Sequence, residues 1–330
     1  MLLHEYLEKG AEKKPNFSFS EFEKKSLSYH EANLLSNKLA NKLVDEGLQV
    51  GDRFAFLAKN CTEMAIMYYA ASKVGVVPVP LNYRLADQEW SYIINDSKAK
   101  LIIVKGNEYA DRINMIKPEL LDVKKYVSIE LEEPINDFSD FYNWISDSSE
   151  TKPTRNVIEE DDVYQMYTSG TTGHPKGAIL LQRNVAANIR QYLDRLTLPN
   201  PSRTLLVAPM YHAAAMINMC GCIAIGGTNI IQEDFIPQDV VDCLAKEKIT
   251  HTVLVPAMIQ ACLVSVPDVA SHEYLDLDQI HYGASPIAPE TLKKAMDIFK
   301  CKFGQGFGMT ETVAVICLMT PEEHIRAVEE

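Results

Sequence analysis

The chain is 330 residues long, enough for one large domain or about two ordinary ones, and its 47% hydrophobic and 23% charged residues are ordinary for a globular protein. A net charge of −13 supplies no basic field to draw in nucleic acid or an anionic membrane surface, so a phosphate ligand must be held by local N–H groups and a few cations. Of the seven cysteines (Cys61, Cys220, Cys222, Cys243, Cys262, Cys301 and Cys317), only Cys220 and Cys222 are close and no second pair answers them, which argues against zinc and for reduced thiols in a cytoplasmic protein.

In chain order, the first residues, MLLHEYLEKGAEKKP, carry charges throughout and do not read as a secretory signal. SYHE (28–31) has capping-box spacing, followed by Leu34, Leu35, Leu39, Leu43 and Val44 at helical intervals and Gly47 as a stop. RFAFLA (53–58) reads as a short buried strand, NCTEMAIMYYAASKVG (60–75) as a helix ending at glycine, and KLIIV (100–104) as a second strand. The polar stretch 131–162 reads as a surface excursion with one short amphipathic helix around 138–145, and as a candidate seam between two subdomains. Strands are expected at VYQMYT (163–168), TLLVAPM (204–210), TNIIQ (228–232) and HTVLVPA (251–257). Helices are expected at LQRNVAANIRQYLDRL (181–196) and PQDVVDCLAKEK (237–248).

This alternation predicts an α/β protein with mostly parallel sheets, in which ligands bind at loops beyond the carboxyl ends of strands. Residues 204–232 lack Lys, Arg, Asp and Glu and match a membrane span in length. Pro209, Asn218, Gly221, Gly226, Gly227 and Asn229 interrupt them, however, so they read as strand, buried helix and strand. No internal repeat or low-complexity tract is visible.

Three stretches carry chemistry. YTSGTTGHPKGA (167–178) combines three glycines (Gly170, Gly173, Gly177), four hydroxyls (Thr168, Ser169, Thr171, Thr172) and one fixed cation, Lys176. Glycine, hydroxyl and lysine together indicate a phosphate cradle, placed here between the strand ending near Thr168 and the helix starting near Gln182. It is not the common P-loop, which needs glycine directly before the lysine and a hydroxyl directly after it. GQGFGMTET (304–312) presents Phe307 between Gly306 and Gly308, with Met309, Thr310 and Glu311 next. A flat ring beside a hydroxyl and a carboxylate suits a purine next to its metal-bound phosphate. HYGASPIAPE (281–290) ends an apolar run with Gly283, Ala284 and Ser285, small residues against which a planar ligand can lie.

In this order the three stretches resemble the adenylate-forming (AMP-binding) superfamily of acyl- and aryl-CoA synthetases, adenylation domains and beetle luciferases. Similar cadence at 27–40, 74–85, 208–214 and 250–259 extends the resemblance over about residues 27–320. It implies a large N-terminal adenylation domain of two packed, interleaved α/β subdomains with mostly parallel sheets, formed by residues 1–330. It further implies that Thr168, Ser169, Gly170, Thr171, Thr172, Gly173, Lys176 and Gly177 wrap the β- and γ-phosphates of ATP. Phe307 would stack on adenine, where many relatives have tyrosine; Gly283, Ala284 and Ser285 would line the adenine slot, and Gly306, Gly308 and Met309 complete the second motif. Thr310 would touch the α-phosphate and Glu311 would ligate Mg²⁺. His212 matches a position closing one side of the acyl-carboxylate site, although it reads equally as a hydrogen-bonded core histidine. The remaining histidines read as structural or exposed. Met210, Met216 and Met219 read as adaptable core, and Val313 and Ala314 match pocket-lining positions.

The reaction so implied is activation of a carboxylic acid to an acyl-adenylate with release of pyrophosphate, then thioester formation with CoA. Two alternatives stand beside it: a ligase loading a carrier-protein thiol, and a non-catalytic nucleotide-binding module. Residues 208–218 contain no acid to pair an α-ammonium, so a fatty, aryl or short-chain acid is expected. Relatives continue through a barrel-like subdomain and a C-terminal domain bearing a catalytic lysine. Here no TGD-like segment follows Thr320 and no lysine follows Lys302. A truncated domain, weakly active or inactive alone, is the expectation.

Overall fold

The computed structural model describes residues 1–168 and 173–329. Within them the chain is mixed α/β with mostly parallel sheets. It forms two compact units, one from residues 1–12 and 30–186, the other from 13–29 and 187 onward. The change of unit falls inside the helix Gln182–Arg195, and the polar stretch 131–162 lies within the first unit.

The first unit holds a parallel sheet in the order Val77–Pro80, Arg53–Leu57, Leu101–Lys105, Lys125–Ile129, Phe138–Asp140. Parallel strands covered on both faces read as unbroken apolar runs, and LIIVK is buried at all five positions. The helix Thr62–Val74 is buried from Glu63 to Val74 and stops at Gly75, whose φ of 68° lets its N–H reach the carbonyl of Ala71. The helix expected around 138–145 resolves into the edge strand Phe138–Asp140 and a single turn, Phe141–Trp144, capped by the Asp140 carboxylate.

One expectation is corrected here. Residue 168 does not lead directly into a helix: Asp162–Thr168 pairs antiparallel with the strand Lys176–Leu181, in register Thr168 with Lys176 and Tyr167 with Gly177. The glycine-rich stretch therefore joins two strands of a hairpin. The helix begins at Gln182, as expected.

The second unit is built on an eight-stranded sheet in the order Cys317–Met319, Lys302–Phe307, Gln279–Gly283, His251–Leu254, Arg203–Leu206, Thr228–Ile231, Ser18–Phe22, Lys25–Ser28. The six inner strands are parallel and both edge strands antiparallel. Residues 204–232 fold as read: strand, buried helix Ala213–Ala224, strand. Because side chains alternate across a strand, Ile280 and Tyr282 enter a core with Val240, Leu244, Ile259, Leu292, Phe299 and Phe303. Gln279, His281 and Gly283 face the other way.

Candidate nucleotide and acid site

In the second unit the strands Gln279–Gly283 and Lys302–Phe307 run parallel, with His281 opposite Gly304 and Gly283 opposite Gly306. Glycine is required at Gly283 by close approach: a Cβ there would lie 2.4 Å from the carbonyl oxygen of Gly306. At Gly308 it would lie 1.6 Å from the carbonyl oxygen of Ala314, because the following loop folds back over this residue.

That loop is locally satisfied. The backbone N–H of Met309 donates to Thr312 Oγ1 (3.2 Å), Thr312 Oγ1 donates to the Met309 carbonyl (2.9 Å), and the Ile316 N–H donates to the Phe307 carbonyl (2.8 Å). Asn188 Nδ2 ties it down by donating to the Val315 carbonyl (2.8 Å). Ala284, Val313 and Ala314 have φ of 66°, 71° and 134°, conformations that cost non-glycine residues and persist only where the surroundings over-determine them.

A cavity of about 310 Å³ opens between these elements. Of the sequence-derived residues, Gly283, Ala284, Gly306, Gly308, Met309, Thr310, Ala314 and His212 line it. Among the described residues only Leu318 Cδ2, at 3.6 Å, comes within 4 Å of the position a Cβ would take on Gly306, so that glycine leaves open space rather than relieving a clash. Phe307 presents its ring 66% exposed, and Ser285 and Glu311 are exposed. His212 is exposed beside Tyr211, ring centroids 4.3 Å apart, which removes the core-histidine reading. Met210, Met216 and Met219 are fully buried core, whereas Val313 is buried beneath the loop.

The cavity also has walls that the motifs do not contain. Val253, Val255, Ile217, Val315 and Leu318 make it apolar, and Tyr192 and His281 supply polar groups. Both were legible only by period: His281 lies two residues before Gly283 on the same strand face, and Tyr192 lies one helical turn after Asn188.

In the first unit, Ser169, Gly170, Thr171 and Thr172 lie outside the described residues. The hairpin places Lys176 exposed opposite Thr168, and Gly173 has a φ of 107°. Gly177 has a packing role: a Cβ would fall 2.3 Å from Gln165 Nε2 and 2.9 Å from Tyr167 Cζ. Those side chains form a line in which Arg53 donates to Gln165 (3.2 Å), Gln165 to the Tyr167 hydroxyl (3.0 Å), and that hydroxyl to Asp96 (2.6 Å). Burial, reinforced by Asp96, raises the Tyr167 pKa.

Among the described residues no group of three or more His, Cys, Asp or Glu is placed to hold a metal. Mg²⁺ does not need one, since it is commonly held by one or two carboxylates plus substrate phosphates and water. Exposed Glu311, beside cavity-lining Thr310, is a donor of that kind. Also among the described residues, no helix is long and apolar enough to cross a membrane.

The AMP-binding enzyme family matches residues 7–329. The chain is 29% identical over 311 residues to a fatty acid–acyl-carrier-protein ligase, ScoC of Streptomyces coeruleorubidus, covering 92% of this chain and 57% of that protein. It is 30% identical over 296 residues to a feruloyl-CoA synthase of an Amycolatopsis species, covering 89% and 56%. Among solved structures it resembles the N-terminal domain of FACL13 from Mycobacterium tuberculosis, with a TM-score of 0.90 and 26% identity, covering 99% of this chain and 80% of that one. The chain thus spans little more than half the length of these curated relatives.

Proposed function

The chain belongs to the AMP-binding enzyme family, and we propose that it is the nucleotide- and acid-binding portion of a ligase that activates a carboxylic acid with ATP. The product is an acyl-adenylate, with release of pyrophosphate, and a thiol then takes the acyl group. The observation that carries this reading is the cavity of the second unit. Gly283, Ala284, Gly306, Gly308 and Thr310 line it together with apolar side chains. An aromatic base needs flat, side-chain-free backbone, and an acyl group needs an apolar slot; one cavity offers both.

Carboxylate attack on the α-phosphate brings two anions together, so fixed cations and N–H dipoles are the main requirement. Phe307 stacks on adenine, Thr310 donates to the α-phosphate, and His212 closes the carboxylate side. Thr168, Gly173, Lys176 and Gly177, with Ser169, Gly170, Thr171 and Thr172, hold the departing phosphates, and Lys176 offsets their charge. Mg²⁺ on Glu311 would add charge neutralisation at the phosphates. The acceptor thiol is that of CoA; a carrier-protein thiol is the second reading, favoured by the likeness to a carrier-protein ligase. Five of the seven cysteines are buried, which fits a reducing, cytoplasmic setting.

Calorimetric titration of the chain with ATP and Mg²⁺, beside Glu311→Ala, tests the site. Heat for the parent that weakens in the variant is expected. Pyrophosphate release over a panel of acids, then transfer to CoA or to a phosphopantetheinyl carrier, tests the reaction. Acid-independent nucleotide binding without pyrophosphate release from a lengthened protein, this chain followed by the C-terminal portion of a related ligase, would favour a non-catalytic nucleotide-binding module instead.

A further inference from the structure

Most of the cavity's lining is apolar, and its polar side chains include those of Tyr192, His212, His281 and Thr310. His281 lies two strand residues below Gly283, about 7 Å deeper by strand rise, and faces the interior over Gly304. It is 3% exposed, and among the described residues nothing lies within hydrogen-bond distance of its Nε2. The glycine opposite is what makes room for that atom, because a Cβ on Gly304 would stand 2.5 Å from it.

The identity of the unpartnered group follows from the hydrogen bonds behind it. The Tyr192 hydroxyl donates to Asn218 Oδ1 (3.1 Å) and so meets His251 Nε2 (3.4 Å) with its oxygen. His251 Nε2 is also 3.2 Å from His281 Nδ1. Burial, with His324 nearby, lowers the His281 pKa to about 4, and burial beside His281 lowers that of His251 too, so both rings are neutral near pH 7. Two neutral rings share one proton across their contact. If His251 Nε2 carries it, His281 carries its own on Nε2, facing the cavity. The opposite arrangement puts a proton on His251 Nδ1, a buried atom that also has no partner among the described residues and does not line the cavity. Each arrangement leaves one buried donor unpaired, but the opposite one also sets the bare lone pair of His251 Nε2 against the Tyr192 oxygen, so the first is favoured. His281 then offers the cavity an N–H.

We propose that the acid this site prefers carries an uncharged oxygen acceptor, a hydroxyl or carbonyl, at the far end of a compact acyl group, where it takes a hydrogen bond from Nε2 of His281. The proposal deepens the acid-activating reading and rests on it. A purely hydrocarbon acyl group leaves this buried N–H unpaired, whereas an oxygen at that depth supplies the missing bond. Sites built around such a group discriminate strongly against analogues lacking it.

The test uses two matched pairs, phenylpropanoate with its para-hydroxy analogue and octanoate with its terminal oxo analogue. Binding to the chain is measured by calorimetry for the parent, His281→Gln and His281→Leu. In at least one pair the oxygenated member is expected to bind about 10-fold tighter or better. His281→Gln, which keeps a donor, retains part of that preference. His281→Leu abolishes it while still binding the hydrocarbon acid, which also shows that the variant is folded. Equal affinities within both pairs in the parent overturn the proposal, as does a preference that survives in His281→Leu, or no binding of any of the four. If His281→Leu fails to fold, the parent and His281→Gln decide the matter. Pyrophosphate release separates the two readings: equal rates with hydrocarbon and oxygenated acids sink only the role of His281. Absence of release from the lengthened protein, alongside an intact binding preference, sinks acid activation and leaves recognition by His281 standing.

Discussion

The guanidinium of Arg203 holds the carboxylate of Glu21 through two parallel hydrogen bonds, Nη1 to Oε1 and Nη2 to Oε2, each 3.0 Å long. The pair joins the strand Ser18–Phe22, separated by nearly two hundred positions in sequence, to the strand Arg203–Leu206 of the sheet that carries the candidate site. Arg203 Nε also donates to the Glu247 carbonyl (2.9 Å), which helps hold the fork in place. Fork geometry makes such a pair stronger than a typical surface ion pair. Partial exposure of both side chains still limits it to about 1 kcal/mol. The hydrogen bond from Arg203 lowers the Glu21 pKa in the fold. A carboxylate with a depressed folded pKa stabilises above its unfolded pKa, and that contribution is lost as pH falls through the folded value. Glu21→Gln should therefore lower stability to denaturant by about 1 kcal/mol at neutral pH, and the gap to the parent should close in acid. A gap unchanged down to about pH 3 would assign the effect to packing.

Buried histidines set a second acid limit. His4 is 5% exposed, its Nδ1 3.0 Å from Ser72 Oγ, and burial lowers its pKa to about 4. His281 is lowered to about 4 by burial with His324. The unfolded chain binds protons at these positions near pH 6.5, while the folded chain does not until about pH 4. Stability therefore falls as pH drops through that window, at most by about 2 kcal/mol per group at about pH 5. Denaturant midpoints measured from about pH 7 to 5 should decline, and His4→Gln should decline less steeply than the parent.

The glycines of the site divide by what surrounds them. Gly308→Ala must open the loop over Ala314, since its Cβ would lie 1.6 Å from a carbonyl oxygen. A loss of several kcal/mol, about 3 or more, is expected. Gly306→Ala meets only ordinary contact and should change stability by less than about 1 kcal/mol. The added methyl nevertheless enters the cavity. Gly306→Ala is thus expected to unfold like the parent in urea and to bind ATP more weakly in calorimetry. Parent-like ATP binding by Gly306→Ala would remove this face from the nucleotide slot.

Much of this arrangement could be read from the sequence because local signals and tertiary roles coincide. Apolar runs such as LIIVK are strands buried on both faces, and Gly75 ends a helix in the one conformation glycine adopts cheaply. GAS and QGFGMTE sit at the carboxyl ends of neighbouring parallel strands, where such sheets bind ligands. The misread hairpin has an equally physical cause. Lys176–Leu181 has one fully buried residue, so its apolar residues lack the alternation that marks a strand, and they read as a continuation of the glycine-rich stretch before the helix. The division of the chain into units was hidden for another reason. The parallel pairing of Ser20 with Asn229 is long-range and leaves no local signature. His281 looked structural because its meaning depends on two absences, a side chain at Gly304 and a partner for Nε2 among the described residues, which only the folded arrangement exposes.

The charged and aromatic residues of the proposed reaction should separate binding from chemistry. Phe307 is 66% exposed, so Phe307→Ala removes little packing and should leave stability unchanged. Loss of the stacking face should weaken ATP binding about 10-fold, equivalent to about 1.4 kcal/mol. Lys176 is exposed on its hairpin, and its charge matters most when the pyrophosphate departs. Lys176→Ala in the lengthened protein should therefore slow acid-dependent pyrophosphate release by about 10²–10³-fold, with a smaller effect on ATP affinity. Glu311→Gln keeps shape and removes charge, so its defect should shrink as Mg²⁺ is raised if the carboxylate serves the metal. A Glu311→Gln defect indifferent to Mg²⁺ would instead make Glu311 a loop residue, and the metal would have to be held by phosphates and water alone.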